Sequence, residues 1–268
     1  EQMNKELVGK RVKSYSLKDY ERLQRIGFIN RDLKAFDQLV NEEVKSVVSR
    51  GNAIHVKLGN GANLILSPEY GGIILYHKNA AATSEKYHLR INFKDDSALT
   101  VRLTSMGGIH ALKDSDLTKS YVFRRDFDPE NRSPTDEEFT FELFSRLLSS
   151  NNTALKSVLV GKDAVVVGLS NSAFQDILYR ARLHPKRKAS ELTASEKRSL
   201  YNAIQYVLKE RIQLGGKDQF MDLYGRQGRY KPAMGSNMKQ QCCPTCGTLI
   251  EKMSAGGGQL FFCPKCQV

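Results

Sequence analysis

The chain has 268 residues and 40% hydrophobic content, enough for a packed core in one large domain or two small ones. No apolar run approaches the ~20 residues that carry a helix across a bilayer, and no signal-peptide pattern opens the chain, so the expected compartment is the cytoplasm or bacterial nucleoid. The net charge of +12 is uneven: residues 151–268 carry 18 Lys+Arg against 8 Asp+Glu, whereas residues 1–150 carry 23 against 21. That asymmetry favours a polyanionic partner, because each phosphate neutralised releases counterions.

In chain order, residues 1–7 read as a helix end, with Met3 and Leu7 four apart and Gly9 as a stop. From Arg11 to about Asp126 the pattern is mostly strand. Ala53–Leu58 and Asn63–Leu66 flank Gly59-Asn60-Gly61, a hairpin signal. Gly72–His77, Tyr87–Phe93 and Leu99–Thr104 continue the pattern, the last two joined by the turn composition Lys94-Asp95-Asp96-Ser97. Short strands at this spacing predict an antiparallel sandwich or barrel. Residues 20–40 are expected to include a short helix with Leu33, Phe36 and Leu39 on one face.

The polar, Pro-containing stretch Asp128–Asp136 is the expected domain boundary, and the period after it is helical. Helices are predicted over Phe139–Leu148, Thr153–Gly161 and Asn171–Leu183. A fourth opens on the capping-box spacing Thr193-Ala194-Ser195-Glu196 and stops at Gly215-Gly216. Residues 225–241 read as a linker. The expected organisation is α+β: residues 1–127 an antiparallel β-sandwich, 128–228 a helical domain, 229–268 a linker and finger.

All five cysteines fall after residue 241, where a disulfide framework would scatter them along the chain; the clustering points to metal and agrees with a reducing compartment. Cys243-Pro-Thr-Cys246 and Cys263-Pro-Lys-Cys266 are separated by sixteen residues, the spacing of a zinc ribbon. Thr248–Met253 and Gln259–Phe262 can pair between the two knuckles. One Zn2+ on Cys243, Cys246, Cys263 and Cys266 is a closed, structural site; Cys242 is a bystander. Asn171 opens a helix beside unpaired backbone N–H groups, a natural phosphate site, and Lys186-Arg187-Lys188 places three cations on the turn after it.

These residues together resemble a family. Thr153-Ala154-Leu155-Lys156, Val166-Val167-Gly168 with Asn171, Leu183-His184-Pro185, the capped helix ending Gly215-Gly216, Tyr224-Gly225-Arg226 and the zinc ribbon are similar to formamidopyrimidine-DNA glycosylase and endonuclease VIII. The resemblance is specific over 150–268 and looser over 1–126, where Leu7-Val8-Gly9-Lys10 and the strand order fit. It implies a β-sandwich, a helix–two-turn–helix DNA-binding domain and a zinc finger. It also implies a monomer with a DNA partner, damaged or abasic, duplex or single-stranded, and no membrane. With the cations of the turn, the DNA-binding set expected is Lys156, Asn171, Lys186, Arg187, Lys188, Arg226 and Gln259. The activity it implies is base-excision repair by a DNA glycosylase with AP lyase chemistry, in which an N-terminal proline amine attacks the sugar and a following glutamate shuttles protons.

The chain departs from the family pattern at several positions. By resemblance about ten residues would precede Glu1, and no catalytic residue is assigned. Asn52, in Ser49-Arg50-Gly51-Asn52, stands where the family's lysine is expected, Tyr70 where a void-filling Met is expected, and Gly258 and Gln259 where a finger arginine is expected. Three readings follow: a glycosylase/lyase whose start lies upstream of Glu1, a damaged-DNA-binding paralogue that does not excise, or a generic zinc-ribbon nucleic-acid protein with no repair role.

Overall fold

A computed structural model describes residues 1–69, 71–83, 85–104, 106–161, 164–256 and 258–268. It forms two compact units: Glu1–Asp128 with Asp218–Gly228, and Pro129–Lys217 with Arg229–Val268. No described helix is long and apolar enough to cross a membrane.

The first unit opens with α1 (Gln2–Leu7), β1 (Val12–Leu17) and α2 (Glu21–Arg25). It continues through β2 (Val44–Arg50), β3 (Ala53–Leu58), β4 (Ala62–Ser67), β5 (Ile73–His77), β6 (Leu89–Phe93), β7 (Ala98–Arg102) and β8 (Gly108–Lys113), and α3 (Tyr121–Phe127) follows. Among the described residues the strands make two antiparallel four-stranded sheets, ordered β1-β6-β7-β5 and β2-β3-β4-β8. Both inner faces contribute to one core, with Leu64, Leu66, Leu89, Phe93, Leu99 and Ile109 almost fully buried. This is the sandwich that the alternating pattern predicts.

Two segments of this unit differ from the strand pattern. Leu33–Leu39 is a 3-10 helix, not an α-helix. Its buried residues Phe36 and Leu39 are three apart, which suits three residues per turn. It packs against β4 and β8, so β4 is buried on both faces, and Ala62-Asn63-Leu64-Ile65-Leu66-Ser67 reads as a continuous run. At the other end, Tyr121–Phe127 is helical where strand was expected. Ser120 caps it by accepting from the Phe123 N–H at 3.4 Å, and Phe123 and Phe127, one turn apart, stack at 5.3 Å.

The second unit carries α4 (Phe141–Ser149), α5 (Leu155–Val160), α6 (Asn171–Ala181), α7 (Ala194–Gln213) and the hairpin β9 (Glu251–Ala255) and β10 (Gly258–Phe262). The capping box holds as the spacing predicts: Thr193 Oγ1 accepts from the Glu196 N–H at 3.2 Å and the Glu196 carboxylate accepts from the Thr193 N–H at 2.8 Å. Leu200, Ile204 and Val207 bury one stripe of α7 against Phe174, Ile177 and Leu178 of α6. Beyond α7, Gly215 and Gly216 adopt φ of +71° and +99°. The segment expected as a linker is partly anchored: Tyr230 and Met234 are buried, and the Tyr230 hydroxyl donates to the fully buried carboxylate of Asp176. Two anchors without periodicity leave no pattern for composition to show.

Candidate nucleic-acid interface and metal centre

The four cysteines arrive from two knuckles. In the first, the Gly247 N–H donates to the Cys243 carbonyl at 2.8 Å and the Cys243 N–H to the Thr248 carbonyl at 2.8 Å. In the second, the Cys266 N–H donates to Cys263 Sγ at 3.4 Å. All four sulfurs lie within 4.8 Å of one another, with Cys243–Cys266 at 3.9 Å and Cys246–Cys263 at 3.4 Å. Thiolates ~2.3 Å from a tetrahedral zinc have sulfur–sulfur edges of about 3.8 Å, so the cluster fits that ion. Cys242 is exposed and makes a backbone bridge to Leu249. Burial opposes ionisation of the Cys243 thiol, but hydrogen bonds from the Tyr179 hydroxyl and the Thr245 and Cys246 N–H groups outweigh it and bring the thiol down to about 6.

A polar cluster lies at the start of α6. Ser170 caps the helix, its Oγ accepting from the Ala173 N–H at 3.2 Å, which leaves the Asn171 side chain available for other contacts. Asn171 Nδ2 donates to the carbonyl of Gln259 on β10 at 3.1 Å, and its Oδ1 accepts from Lys156 Nζ of α5. Lys156 is 8% exposed, with its ammonium 5.2 Å from the centre of the Phe174 ring, and burial pushes its pKa below the ordinary 10.5. The hairpin tip reaches these side chains because it is glycine-rich. A Cβ on Gly258 would come within 3.3 Å of Asn171 Nδ2, and one on Gly256, whose φ is +52°, would touch the Lys156 stem at 3.4 Å. A basic ammonium, a directed amide and the N-terminal end of an eleven-residue helix therefore converge.

The structure thus brings together Lys156, Asn171 and Gln259. The Gln259 carbonyl, not its side chain, makes the contact with Asn171, and the Gln259 side chain is exposed. Lys186 and Lys188 are exposed on the turn after α6, Lys188 with Glu191 at 3.7 Å. Arg187 is turned inward: it grips the Glu196 carboxylate at 2.9 and 3.1 Å, fastening this turn to the capping box. Arg226 belongs to the first unit, exposed and stacked over Tyr224 at 5.6 Å. Tyr70 lies outside the described residues.

Asn52 sits in the turn between β2 and β3. Its N–H donates at 3.2 Å to Asp126 Oδ2, a fully buried carboxylate that also takes Arg125 at 2.7 and 2.9 Å. Arg125 reaches on to Glu69 at 2.9 Å, and Arg50 donates to the carbonyls of Asp126 and Asp128 at 2.9 and 3.0 Å. The turn that carries Asn52 is therefore held by an ion network.

Residue reasoning missed Gln175 and Tyr179. Gln175 accepts from the Phe261 N–H at 2.8 Å, and the Tyr179 hydroxyl contacts Thr245 Oγ1 at 2.8 Å and Cys243 Sγ at 3.3 Å. With Asn171 they recur every four residues along α6, beside the apolar stripe, and that spacing was the signal available.

Two family models match. The formamidopyrimidine-DNA glycosylase H2TH domain covers residues 131–221, and the zinc finger found in FPG and IleRS covers 241–268. Among curated proteins, a formamidopyrimidine-DNA glycosylase of Streptococcus pneumoniae is 27% identical over 99% of this chain and 94% of its own length. One of Bacillus cereus is 28% identical over 88% of this chain and 85% of its own. Among solved structures, a Lactococcus lactis Fpg in complex with DNA containing an abasic site superimposes with a TM-score of 0.83 at 22% identity, covering 99% of this chain and 95% of that one. MutM in complex with DNA containing carbocyclic 8-oxo-G gives 0.78 at 24% identity, covering 100% of this chain and 95% of that one.

Proposed function

The chain belongs to the formamidopyrimidine-DNA glycosylase family, and on that premise we propose that it binds damaged DNA as a monomer and acts in base-excision repair as a DNA glycosylase with AP lyase activity. The observation that carries the binding half is the convergence of Lys156, Asn171 and the Gln259 carbonyl at the start of α6. Such a cluster suits a backbone phosphate, which positions DNA without reading its sequence. Lys186 and Lys188 add exposed charge near the end of the same helix. The four thiolates fit one structural zinc ion: with four protein ligands the site has no open position for chemistry, and its contribution is to fold the hairpin that carries Gln259. Reduced cysteines suit the cytoplasm.

One observation favours a second reading, a damage-binding paralogue that does not excise: Asn52 supplies no cation at the β2–β3 turn. Borohydride trapping on abasic-site duplex, run with the protein expressed from its full reading frame, separates the two. A covalent adduct is expected for the glycosylase/lyase. Tight binding without an adduct supports the paralogue, and no preference for abasic over undamaged duplex overturns both.

A further inference from the structure

Among the described residues β10 pairs, in the two-stranded ribbon sheet, with β9 alone, so its outer edge would present unpaired backbone groups. Within one strand the carbonyl of Gln259 and the N–H of Phe261 point to the same edge, on residues whose Cα atoms repeat about 6.8 Å apart at ~3.4 Å per residue. Along α6, Asn171 and Gln175 lie one above the other about 6 Å apart at ~1.5 Å rise per residue. The two repeats match. Asn171 donates its amide N–H to the Gln259 carbonyl at 3.1 Å, and Gln175 offers its amide oxygen to the Phe261 N–H at 2.8 Å. Two carboxamides thus take the place of a neighbouring strand, with donor facing acceptor and acceptor facing donor. Gln175 is 6% exposed, and its own Nε2 donates to the Asn171 carbonyl at 3.2 Å, so both ends of its amide are engaged.

We propose that Gln175 is a positioning residue for the phosphate clamp: by holding the Phe261 N–H it sets the register of β10 on α6 and so delivers the Gln259 carbonyl that orients the Asn171 amide beside Lys156. This rests on the DNA-binding reading above. Its reach differs from that of a residue that only packs, because the effect of Gln175 on binding passes through Asn171. Sliding β10 by one residue would present the Leu260 backbone to Asn171 and turn the wrong groups outward.

The test is a double-mutant cycle on the full-length protein, read by fluorescence anisotropy on a duplex carrying an abasic-site analogue. Gln175→Met, similar in length and without the amide, is expected to keep the parent's zinc content and to fold, melting a few degrees lower because the buried Phe261 N–H loses its acceptor. It should weaken binding about three- to tenfold, the range for one net hydrogen bond. In an Asn171→Ala background the same change is expected to alter binding by less than about twofold, because the side chain it serves is gone. In the 15N spectrum the Phe261 amide is expected to shift upfield and lose protection from exchange. If Gln175→Met loses zinc or unfolds, Gln175→Asn, which keeps the amide and shortens its reach by one methylene, is read in its place. Unchanged binding in the single variant, or equal losses in both backgrounds, overturns the positioning role while leaving DNA binding intact. A parent protein that does not bind the duplex overturns the reading underneath.

Discussion

At the scale of single residues, Gly51 and Lys156 show how local chemistry is set by neighbours far away in sequence. Gly51 adopts φ of +61° in the β2–β3 turn, and a Cβ there would meet Asp126 Oδ1 at 2.5 Å. The carboxylate cannot retreat, because Arg125 and the Asn52 N–H hold it. Gly51→Ala is therefore expected to cost about 1–3 kcal/mol of stability, from backbone strain and displacement of the ion network. Urea unfolding that shows no change would refute this. Lys156 answers to its surroundings differently. Burial disfavours its charged form and lowers its pKa from 10.5, so the proton leaves at lower pH than from an exposed lysine. If the charged form holds phosphate, affinity for duplex should fall as pH rises toward 10.5, and Lys156→Arg, whose guanidinium stays charged, should hold its affinity through that window. Parallel binding-versus-pH curves for the two proteins would show that Lys156 does not contribute charge. Neither environment could be read from sequence: glycine beside arginine marks a turn, but nothing in the string Arg50-Gly51-Asn52 names Asp126 as the group beneath it.

At the scale of elements, α6 organises the second unit, and the four cysteines gather at the base of the β9–β10 ribbon. Cys263→Ser with Cys266→Ser should abolish zinc binding, since two of four thiolates are removed, and should disorder the β9–β10 hairpin, because small ribbons fold on their metal. Full zinc retention by metal analysis would contradict this. The two ends of α6 are separable by salt. Asn171→Ala removes a short-range directed contact and should weaken binding by about 1–2 kcal/mol at all ionic strengths. Lys186→Ala with Lys188→Ala removes exposed charge and should flatten the slope of log K against log[salt] by about 0.9 for each duplex phosphate that is no longer neutralised. Arg187 is left out of that pair because its guanidinium is committed to Glu196. A slope unchanged by the lysine variant would place the electrostatic contacts elsewhere. Most of these elements were legible: the apolar stripe of α7, its capping box, the Gly stop and the duplicated Cys-x-x-Cys spacing are local patterns, and local patterns are what a sequence displays. The inward turn of Arg187 was not, since its partner is a helix cap nine residues away whose carboxylate faces it only once both elements are packed.

At the scale of the whole molecule, the two units hold different chemistry. The first holds half-buried imidazoles: partial burial lowers the pKa of His77, His88 and His110 below 6.5, and the Nδ1 of His110 has no hydrogen-bond partner. Below pH 6.5 the unfolded chain takes up protons that these native side chains resist, so the stability of this unit should fall as pH drops below 6.5 and be fully present above it. Chemical unfolding monitored at pH 7.5, 6.5 and 5.5 checks this; a His110→Gln variant should show the shallower decline, and identical profiles would exclude His110 as a contributor. The first unit is also discontinuous in sequence, because residues Asp218–Gly228 return to it after α7. Leu223 enters its core, the Leu223 carbonyl accepts from the Tyr76 N–H at 2.9 Å, and Gln2 bonds Asp222 and the Leu223 N–H at 2.9 and 3.1 Å. By itself the sequence determined the sandwich, the order of the helices in the second unit, the four-cysteine cluster and the basic half, because strand alternation, helical period, cysteine spacing and charge are each written within a few tens of residues. Only the tertiary structure decided which side chains meet: Asp126 under Gly51, Gln175 on the edge of β10, Tyr179 against Cys243, Arg187 on Glu196 and Leu223 in the first core. Each is a contact between elements, fixed by how helices and strands pack, and packing leaves no period in the chain.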